Sequence, residues 1–414
     1  MKQDWEIKRL GQVLIIERGG SPRPIEKYIT SSPDGINWIK ISDATASDKY
    51  IYETKEKITR DGLHKTRVVN DGDFILSNSM SFGRPYIMKT TGCIHDGWLV
   101  LKQTDKKLFE TEFLYYLLSS PFVYNQFNGL AAGSTVRNLN ISLVSSVIVP
   151  IPPLQEQLRI TTILDEVFSS IAKAKANAEQ NLNNAKDLFE SYLQSIFSNK
   201  DGGWEEKTLG EVCEMINRGV SPRYIEREGL IVLNQKCIRD HKVSFEQSRF
   251  HDGSAKKVTS EKFLRLGDVL INSTGVGTLG RVAQVRTELK NVIVDSHITI
   301  VRPLKNLFFL DFFGWALIFI EDEIAKRGEG CGGQTELARN TLKDNFTLCF
   351  PKFISAQEAI VRKLDSLLAE TKKLEYIYHQ KLNDLEELKK SMLQKAFIGE
   401  LKTTNRTQYE LERS

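Results

Sequence analysis

The sequence predicts a mixed α/β protein that is built twice, with two similar globules alternating with two long helices. Three observations support this: motifs recur at an offset of about 200 residues, an apolar heptad pattern occurs twice, and short β-branched runs fill the remaining segments. A chain of 414 residues is long enough for two or three domains. The predicted boundaries are a first globule at 1–153, a central helix at 154–198, a second globule at 199–353, a carboxyl-terminal helix at 354–400 and a tail at 401–414.

The internal repeat begins at the start of each globule. Trp5-Glu6 recurs as Trp204-Glu205, and segment 18–23, with the sequence RGGSPR, recurs at 218–223 as RGVSPR. The later matches pair Gly83-Arg84 with Gly280-Arg281, Asp96 with Asp295, Gly133 with Gly333 and Thr135 with Thr335. Because the matches keep their order and spacing, chance is a poor explanation, and the two globules should share one fold.

Both globules should be rich in short strands. The predicted strands share β-branched and apolar content; they are Trp38–Ile41, Asp73–Ser77, Trp98–Lys102, Ile231–Leu233, Val269–Asn272, Arg281–Val285 and Val292–Val301. Shorter helices are predicted at Glu112–Leu118 and Phe308–Glu323. Strands and helices together define a mixed α/β class.

Each long helix carries an apolar seam. The first, from about Leu154 to Phe197, places apolar or small residues at Leu164, Val167, Ile171, Ala174, Ala178, Leu182, Ala185, Phe189, Tyr192 and Ile196. The second, from about Ser355 to Phe397, places Leu364, Leu367, Leu374, Tyr378, Lys381, Leu385, Leu388 and Met392 on the same frame. Steps of three and four residues that repeat every seven are typical of a coiled coil, so we expect the two helices to pair. Since Pro152-Pro153 suits only a helix entry, the first helix should start near Leu154.

Composition restricts the class of protein and its location. The chain is 41% hydrophobic and 27% charged, as in an ordinary soluble protein, and no apolar run approaches the length of a membrane span. The start lacks a signal-peptide core, and the five cysteines include no CxxC pair. We therefore expect a cytoplasmic protein without a structural zinc site. The net charge of +4 permits nucleic-acid binding without demonstrating it, because a basic patch matters more than a total.

The matched loops contain the residue types that bind phosphate. Arg18, Ser21 and Arg23 of the first globule recur as Arg218, Ser221 and Arg223. A guanidinium binds two phosphate oxygens, and neighbouring glycine lets backbone N–H groups approach. Thr135, Arg137 and Thr335 in a second loop pair, with Arg84 and Arg281 of the Gly-Arg matches, complete these candidates. The simpler alternative is that these loops are basic or Gly/Ser turns that bind no ligand. Because the loops occur twice, a binding role is supported about as well as this alternative.

Positions that differ between the globules are candidates for reading sequence. Lys40 and Ser42 of the first globule stand where the second has Asn234, Gln235 and Lys236. Ser77 and Asn78 stand where the second has Asn272 and Ser273. Asn, Gln, Lys and Arg side chains read base edges in the major groove, so two such faces would read two different short sequences. The alternative is ordinary drift of a duplicated surface.

Three short motifs suggest other chemistries, and none of them predicts a catalytic site. Segment 275–280, with the sequence GVGTLG, fits the GxGxxG pattern of dinucleotide-binding proteins, but the following residues continue as a strand and not as the required helix. Asp34, Glu53 and Lys55 mimic a metal-dependent nuclease constellation that has no counterpart in the second globule. His297 beside Asp295 could form a dyad, and a hydrogen-bonded structural histidine is the simpler interpretation.

Segment 149–157, with the sequence VPIPPLQEQ, leads directly into the first long helix. Together with the Trp-Glu starts of both globules, the Leu10-Gly11 and Leu209-Gly210 matches that follow them and the tandem layout, it resembles the specificity subunit of type I restriction–modification enzymes, over nearly the full length of the chain. One departure is segment 350–355, which lacks the Pro-Pro-Leu sequence at the start of the second helix.

The resemblance implies two target-recognition domains, each reading one half of a bipartite DNA site, separated by an antiparallel coiled coil. It implies no catalysis in this chain: two methyltransferase subunits would bind it, and translocase–nuclease subunits would join them to restrict DNA. S-adenosylmethionine, ATP and magnesium would belong to those partner subunits. Two alternatives remain from the residues alone, a nuclease that uses Asp34, Glu53 and Lys55, and a coiled-coil scaffold that binds only protein.

Overall fold

A computed structural model describes residues 4–78, 82–131, 138–198, 202–328 and 336–401 of the chain. The chain divides into two compact units, the first made of residues 1–179 with 379–414 and the second of residues 180–378. Each unit therefore contains one globule, the amino-terminal part of one long helix and the carboxyl-terminal part of the other. No helix in the described part of the chain is both long enough and apolar enough to cross a membrane.

The first unit alternates short strands with short helices before the first long helix begins. Its strands are β1 (Glu6–Arg9), β2 (Leu14–Arg18), β3 (Ile29–Thr30), β4 (Ile36–Ile39), β5 (Tyr50–Ile51), β6 (Glu56–Ile58), β7 (Arg67–Val69), β8 (Phe74–Ser77), β9 (Pro85–Met88), β10 (Gly92–Ile94), β11 (Trp98–Gln103) and β12 (Ile148–Ile151). Its helices are α1 (Leu10–Val13), α2 (Ile41–Thr45), α3 (Thr111–Ser119), α4 (Pro121–Ala131), α5 (Ile141–Ser146) and the start of α6 (Leu154–Ser198).

The second unit follows the same order. Its strands are β13 (Trp204–Thr208), β14 (Cys213–Arg218), β15 (Tyr224–Ile225), β16 (Leu230–Leu233), β17 (Ile238–Arg239), β18 (Lys242–Val243), β19 (Arg249–His251), β20 (Val269–Asn272), β21 (Val282–Gln284), β22 (Val292–Val294), β23 (Ile298–Pro303) and β24 (Thr347–Pro351). Its helices are α7 (Leu209–Val212), α8 (Leu310–Phe319), α9 (Glu321–Gly328), α10 (Arg339–Asn345) and the start of α11 (Ile354–Ile398).

Each globule contains two main sheets. In the first globule both are five-stranded, in the orders β3-β6-β4-β10-β7 and β2-β11-β8-β9-β5. In the second both are four-stranded, in the orders β14-β23-β20-β21 and β15-β19-β16-β22. Strand β1 pairs with β12, and β13 pairs with β24, so the start of each globule is tied to the strand that enters its long helix. The central strands are buried throughout, as their continuous apolar sequences predict.

Backbone hydrogen bonds at equivalent places confirm the duplication. The pairs are Gly20 N to Ile94 O at 3.2 Å with Val220 N to Val294 O at 2.9 Å, and Asn78 N to Gly97 O at 3.1 Å with Ser273 N to His297 O at 2.8 Å. This register makes His95, and not Asp96, the equivalent of Asp295. The predicted match of Asp96 with Asp295 is therefore wrong by one residue.

The two long helices pair antiparallel, which confirms the predicted fold class. In the first unit, Arg159 Nη2 donates to Leu401 O at 3.5 Å, and Lys175 Nζ lies 2.8 Å from Glu386 Oε1. Between these two contacts the residue number rises in α6 and falls in α11, so the two helices run in opposite directions. In the second unit, Phe197 of α6 shares one core with Leu364 of α11.

The buried seam agrees with the prediction along most of α6 and along half of the frame in α11. Leu164, Ile171, Ala178, Leu182, Ala185 and Phe189 are buried as predicted. At the end of α6 the buried residues are Leu193 and Phe197 in place of Tyr192 and Ile196, because that end packs on the second globule and not on a helix alone. In α11, Leu374, Lys381 and Leu388 are exposed, so this part of the predicted seam is wrong. In the seven-residue series that starts at Leu364, Leu364 and Thr371 are buried and the later members are half-buried.

Helix α6 begins at Leu154 as predicted, and three other predicted elements need correction. The strand predicted at Val292–Val301 is two strands, β22 and β23, because the Asp295 carboxylate accepts a hydrogen bond from His297 N at 3.0 Å and closes a turn. The helix predicted at Phe308–Glu323 is broken between α8 and α9 at Ile320. The strand predicted at Trp38–Ile41 ends at Ile39, since α2 starts at Ile41.

A buried glutamine fixes each long helix to its globule. The Gln157 amide donates to Leu108 O and Pro152 O, both at 2.9 Å, and accepts from Glu110 N at 2.8 Å. The equivalent Gln357 amide donates to Leu307 O at 3.3 Å and Pro351 O at 2.9 Å, and accepts from Phe309 N at 2.8 Å. A buried side chain that makes the same three bonds twice orients the helix entry in both units.

Candidate nucleic-acid interface

Four of the predicted contact residues of the first globule line one cavity of about 1280 Å³. They are Ser21, Arg23, Lys40 and Ser42. Trp38, Glu56 and His95 also line this cavity. The cavity therefore collects side chains from the 18–23 loop, from the end of β4, from β6 and from the turn after β10.

Asp96 organises the cationic loop at the rim of this cavity. Its carboxylate accepts a hydrogen bond from Ser21 Oγ at 2.8 Å and lies 3.8 Å from the Arg23 guanidinium. Its carbonyl oxygen accepts from Arg18 Nε at 3.1 Å. The Ser21 hydrogen bond holds the pKa of Asp96 below its usual value, so the carboxylate stays charged. Because Arg23 is 81% exposed, it remains free to meet a phosphate in solution.

The glycine between these cations serves packing. A Cβ on Gly19 would lie 2.1 Å from His95 O, and one on Gly219 would lie 2.1 Å from Val294 O. The Gly19 N–H donates to Trp98 O at 3.0 Å. The backbone N–H of Gly19 is thus already satisfied and is not available to a phosphate.

His95 is held as a neutral hydrogen-bond donor. Its ring packs near Trp38 and Trp98, with centroids 6.0 and 6.2 Å away, and burial lowers the pKa of the imidazole. Nδ1 accepts from Gly97 N at 2.9 Å, which leaves the proton of the neutral ring on Nε2.

Lys40 and Glu56 form an ion pair on the cavity wall. The Lys40 ammonium donates to Glu56 Oε1, and the two side chains are 42% and 35% exposed. Ser42 is exposed at the start of α2. Glu56 was not among the residues that the sequence predicted, because its role depends on β4 pairing with β6 so that Trp38 lies opposite Glu56.

Ser77 and Asn78 are buried and bond to the chain itself. Ser77 Oγ accepts from Arg84 N at 3.0 Å, and Asn78 Nδ2 donates to Asp96 O at 2.8 Å. This arrangement supports the shape of the cavity rim and argues against direct base contact by either side chain. Arg84 itself is exposed, with its guanidinium 5.2 Å from the centre of the Tyr86 ring.

The cationic loop of the second globule has a different set of partners. Arg218 is tied to Glu336 Oε1 at 2.7 Å and to Leu337 O at 3.0 Å, so this guanidinium is less available than Arg18. Ser221 and Arg223 are exposed, and Lys256 Nζ donates to Ser221 O at 2.7 Å. Arg223 is therefore the counterpart of Arg23 as a cation that faces solvent.

The polar residues that follow β16 mainly shape their own loop. Asn234 Oδ1 accepts from Lys236 N at 2.9 Å, and Gln235 Nε2 donates to Thr274 Oγ1, also at 2.9 Å. Lys236 itself is exposed. The remaining candidates bond locally: Asn272 Nδ2 donates to Gln235 O at 3.1 Å, Ser273 Oγ contacts Thr299 Oγ1, and Arg281 Nη2 donates to Gly277 O at 2.9 Å. Asn272 and Ser273 are fully buried, which argues against base contact.

The second globule has one charged cluster that the sequence did not reveal. The Arg249 guanidinium lies 4.9 Å from the centre of the Tyr224 ring, and its charge acts on the nearby Asp295 carboxyl. Burial raises the pKa of Asp295 above its usual value. Strand pairing could have found this cluster, since Tyr224 and Arg249 lie on the paired strands β15 and β19. Thr135, Arg137 and Thr335 lie outside the described residues.

The alternative chemistries find no support in the described residues. These hold no group of three or more His, Cys, Asp or Glu side chains that could bind a metal ion, around Asp34 and Glu53 or elsewhere. The 275–280 segment is followed by strand β21, so it lacks the helix of a dinucleotide site. The His297 ring bonds to Thr274 Oγ1 at 2.8 Å, while the Asp295 carboxylate bonds to the His297 backbone, so the two side chains form no dyad.

Comparison with known sequences gives one consistent group. Residues 2–183 match the model of the type I restriction modification DNA specificity domain. The chain is 24% identical over 240 residues to the MjaIX specificity subunit of Methanocaldococcus jannaschii, an alignment that covers 53% of this chain and 54% of that protein. It is 22% identical over 319 residues to the EcoKI subunit of Escherichia coli K12, covering 72% and 67%, and 23% identical over 404 residues to the EcoBI subunit of Escherichia coli, covering 89% and 80%. Against the first of these relatives, the match spans about half of the relative's length.

Solved structures show the same fold. A chain from a structure of a type I R-M system, described by its complex assembly and conformational transition, matches with a TM-score of 0.78 and 21% identity, covering 97% of this chain and 99% of that one. The HsdS subunit of Thermoanaerobacter tengcongensis matches with a TM-score of 0.63 and 21% identity, covering 97% and 98%. The fold is thus that of two similar mixed α/β globules with two long helices that pair as a coiled coil. By sequence, residues 2–183 match the DNA specificity domain of type I restriction–modification systems, and the chain is similar over most of its length to specificity subunits of such systems.

Proposed function

We propose that this chain is the non-catalytic DNA-recognition subunit of a type I restriction–modification complex, in which each globule reads one half of a bipartite target. The observation that carries the proposal is the duplicated scaffold with different polar side chains. The 18–23 and 218–223 loops occupy equivalent places and present Arg23 and Arg223 to solvent, while the polar side chains at the neighbouring equivalent positions differ. A shared phosphate contact with divergent neighbours suits two readers of two sequences.

The long helices suit a second role, the binding of partner subunits. Leu154 and Leu158 at the start of α6 are 48% and 49% exposed, and Phe353 just before α11 is 70% exposed. Exposed apolar side chains at both helix entries favour protein partners. In this proposal two methyltransferase subunits dock there and supply S-adenosylmethionine, and translocase–nuclease subunits with ATP and magnesium join them.

Genome-wide mapping of methylated adenines tests the proposal. Cells that contain the methyltransferase subunit should methylate a bipartite sequence only when this chain is also present. The chain purified without partners should neither transfer a methyl group nor cut DNA. Methylation that does not depend on the chain, or a methylated sequence without two separated halves, would overturn the proposal.

The same experiment separates the two alternatives. A protein-only scaffold would restore complex assembly without setting the methylated sequence. A nuclease would cut DNA in the presence of magnesium without partners, and Asp34→Asn would abolish the cutting.

A further inference from the structure

Backbone register identifies two sets of side chains at equivalent places in the two globules. The facing residues are Trp38 with Glu56 across β4 and β6, Val232 with Arg249 across β16 and β19, Ile39 with Ile94 across β4 and β10, and Leu233 with Val294 across β16 and β22. Lys40, Glu56 and His95 of the first globule therefore correspond to Asn234, Arg249 and Asp295 of the second. All three positions differ in charge between the globules.

The first set presents a cation beside an anion. Lys40 and Glu56 are paired on the cavity wall that also contains Arg23, the exposed cation of the rim. Without DNA the two charges satisfy each other, and neither side chain is buried. The Lys40 and Glu56 side chains can therefore give up their contact with each other and bind DNA bases instead. Neither charge would be left buried without a partner in the protein.

The second set has the opposite charge at the position of Glu56. Arg249 stands where the first globule has Glu56, and it stacks on Tyr224. Asn234 stands where the first globule has Lys40, and its amide donates to Gln247 O. Two globules with one backbone and opposite charges at one site cannot favour the same base-pair edge.

The Lys40–Glu56 pair matches the major-groove edge of one base pair. Guanine presents two acceptors, N7 and O6, and its partner cytosine presents the N4 donor beside them. An ammonium donates to the guanine acceptors while an adjacent carboxylate accepts from cytosine N4. In the same placement an A·T pair sets the adenine N6 donor against the ammonium, where guanine has O6, and the thymine O4 acceptor against the carboxylate, where cytosine has N4, so both contacts are mismatched.

We propose that Lys40 and Glu56 are the specificity-determining pair of the first globule and that they read a G·C base pair in its half-site. This inference rests on the proposed DNA-recognition function. In this proposal Arg23 at the cavity rim contacts a phosphate of the DNA backbone. The Lys40–Glu56 ion pair supplies the preference for one base pair.

Methylation mapping in cells tests the inference, with the wild-type chain compared with Lys40→Met and Glu56→Met. Each variant should still direct methylation, and each should lose about tenfold in preference for G·C at one position of one half-site, as expected for a lost base contact. The other half should not change. Lys40→Arg should keep the preference, because a guanidinium also binds guanine N7 and O6.

Lys57→Met is the matched control. Lys57 follows Glu56 on β6, so its side chain lies on the other face of the strand, where Nζ donates to Pro33 O at 3.2 Å. This variant removes the same charge and should leave the methylated sequence unchanged.

Three outcomes would overturn the inference. Chain-dependent methylation with unchanged base preference in both Met variants would overturn it alone. Loss of all methylation in Lys40→Met that Lys40→Arg does not restore would assign Lys40 a structural role. Absence of any chain-dependent methylation, with the wild-type chain included, would overturn the proposed function and this inference with it.

Discussion

Arg23 and Arg223 are the single residues best placed to meet phosphate. Both are exposed, and Arg23 lies only 3.8 Å from Asp96, a carboxylate that orients it without burying it. We expect Arg23→Ala and Arg223→Ala each to weaken DNA binding by the assembled complex and to reduce the slope of log affinity against log salt concentration by about 0.9. The methylated sequence should stay the same, since phosphate contacts carry no base information.

Titrations at several salt concentrations measure this slope. Arg218→Ala is the control within the same loop, because its guanidinium is already tied to Glu336 and to Leu337 O. It should change the slope less than Arg223→Ala. An unchanged slope in both Arg23→Ala and Arg223→Ala would remove these residues from the interface.

His241 should make stability depend on pH. Its Nε2 lies 3.1 Å from Glu321 Oε2, and this hydrogen bond raises the pKa of His241 above 6.5. A raised pKa in the folded state means that the pair stabilises fully below the unfolded value of about 6.5 and loses its effect as pH rises through the folded value. His241→Gln should therefore lower the midpoint of chemical unfolding more at pH 5.5 than at pH 9, and Glu321→Gln should repeat this pattern. Equal losses at the two pH values would contradict the ion pair.

Sequence reasoning identified the chemistry of the candidate residues better than their exposure. It predicted Arg23 as a phosphate contact and Lys40 and Ser42 as base readers, and the structure brings all three to one cavity. It also proposed Asn78 as a base reader, yet Asn78 is bonded to Asp96 O, 18 residues away in sequence. A polar residue that is satisfied by a distant backbone group has no local sequence signature, because only the folded sheet brings the two together.

At the scale of elements, the ends of the long helices are the main points of attachment. Phe397 of α11 packs on Phe113 with ring centroids 5.4 Å apart, and Phe197 of α6 packs on Phe312 at 5.6 Å. Removing either buried ring should cost about 3–5 kcal/mol of stability. We expect Phe397→Ala to increase amide hydrogen exchange in the first unit and Phe197→Ala to increase it in the second.

Exchange measured by mass spectrometry would resolve the two units. Leu388→Ala is the control on α11, because Leu388 is 46% exposed and its truncation leaves no cavity. If Phe397→Ala loosened only the second unit, the assignment of helix ends to units would be incorrect.

The helices also show which patterns predict structure reliably. The start of α6 at Leu154 follows from Pro152-Pro153, a local constraint on the backbone. The prediction that Leu374 lies in the buried seam was wrong. When apolar residues occur on both sides of a helix, a heptad pattern does not show which side packs against the partner. Similarly, the turn that divides β22 from β23 depends on one Asp295 hydrogen bond within an otherwise strand-like run.

At the scale of the whole molecule, the proposed function makes the helix pair a determinant of target spacing. Lys175 faces Glu386, so residues 175–181 and 379–385 lie at about the same level of the antiparallel pair. Deleting both segments removes one heptad from each helix and keeps the seam in register. The pair becomes roughly 10 Å shorter.

This change corresponds to about 3 base pairs, and it also turns one half-site by about 100° around the DNA axis, at roughly 10.5 base pairs per turn. We expect loss of binding to the original site, with residual binding shifted to a shorter spacer. Selection from a DNA library with randomised spacer lengths measures the preference. A folded deletion variant that prefers the original spacer would show that the helices do not set the spacing.

The pairing of Phe113 with Phe397 has a consequence for synthesis of the chain. The ribosome releases the first globule early, but the helix end that covers Phe113 lies within the first unit and is made last. At roughly 5–20 residues per second, the covering segment emerges about 10–50 s after the first globule. During that interval the nascent first unit has an uncovered apolar face. A chain whose synthesis stops before the end of α11 lacks the segment that covers this apolar face. The first unit can therefore be complete only in chains that were translated to the end of α11.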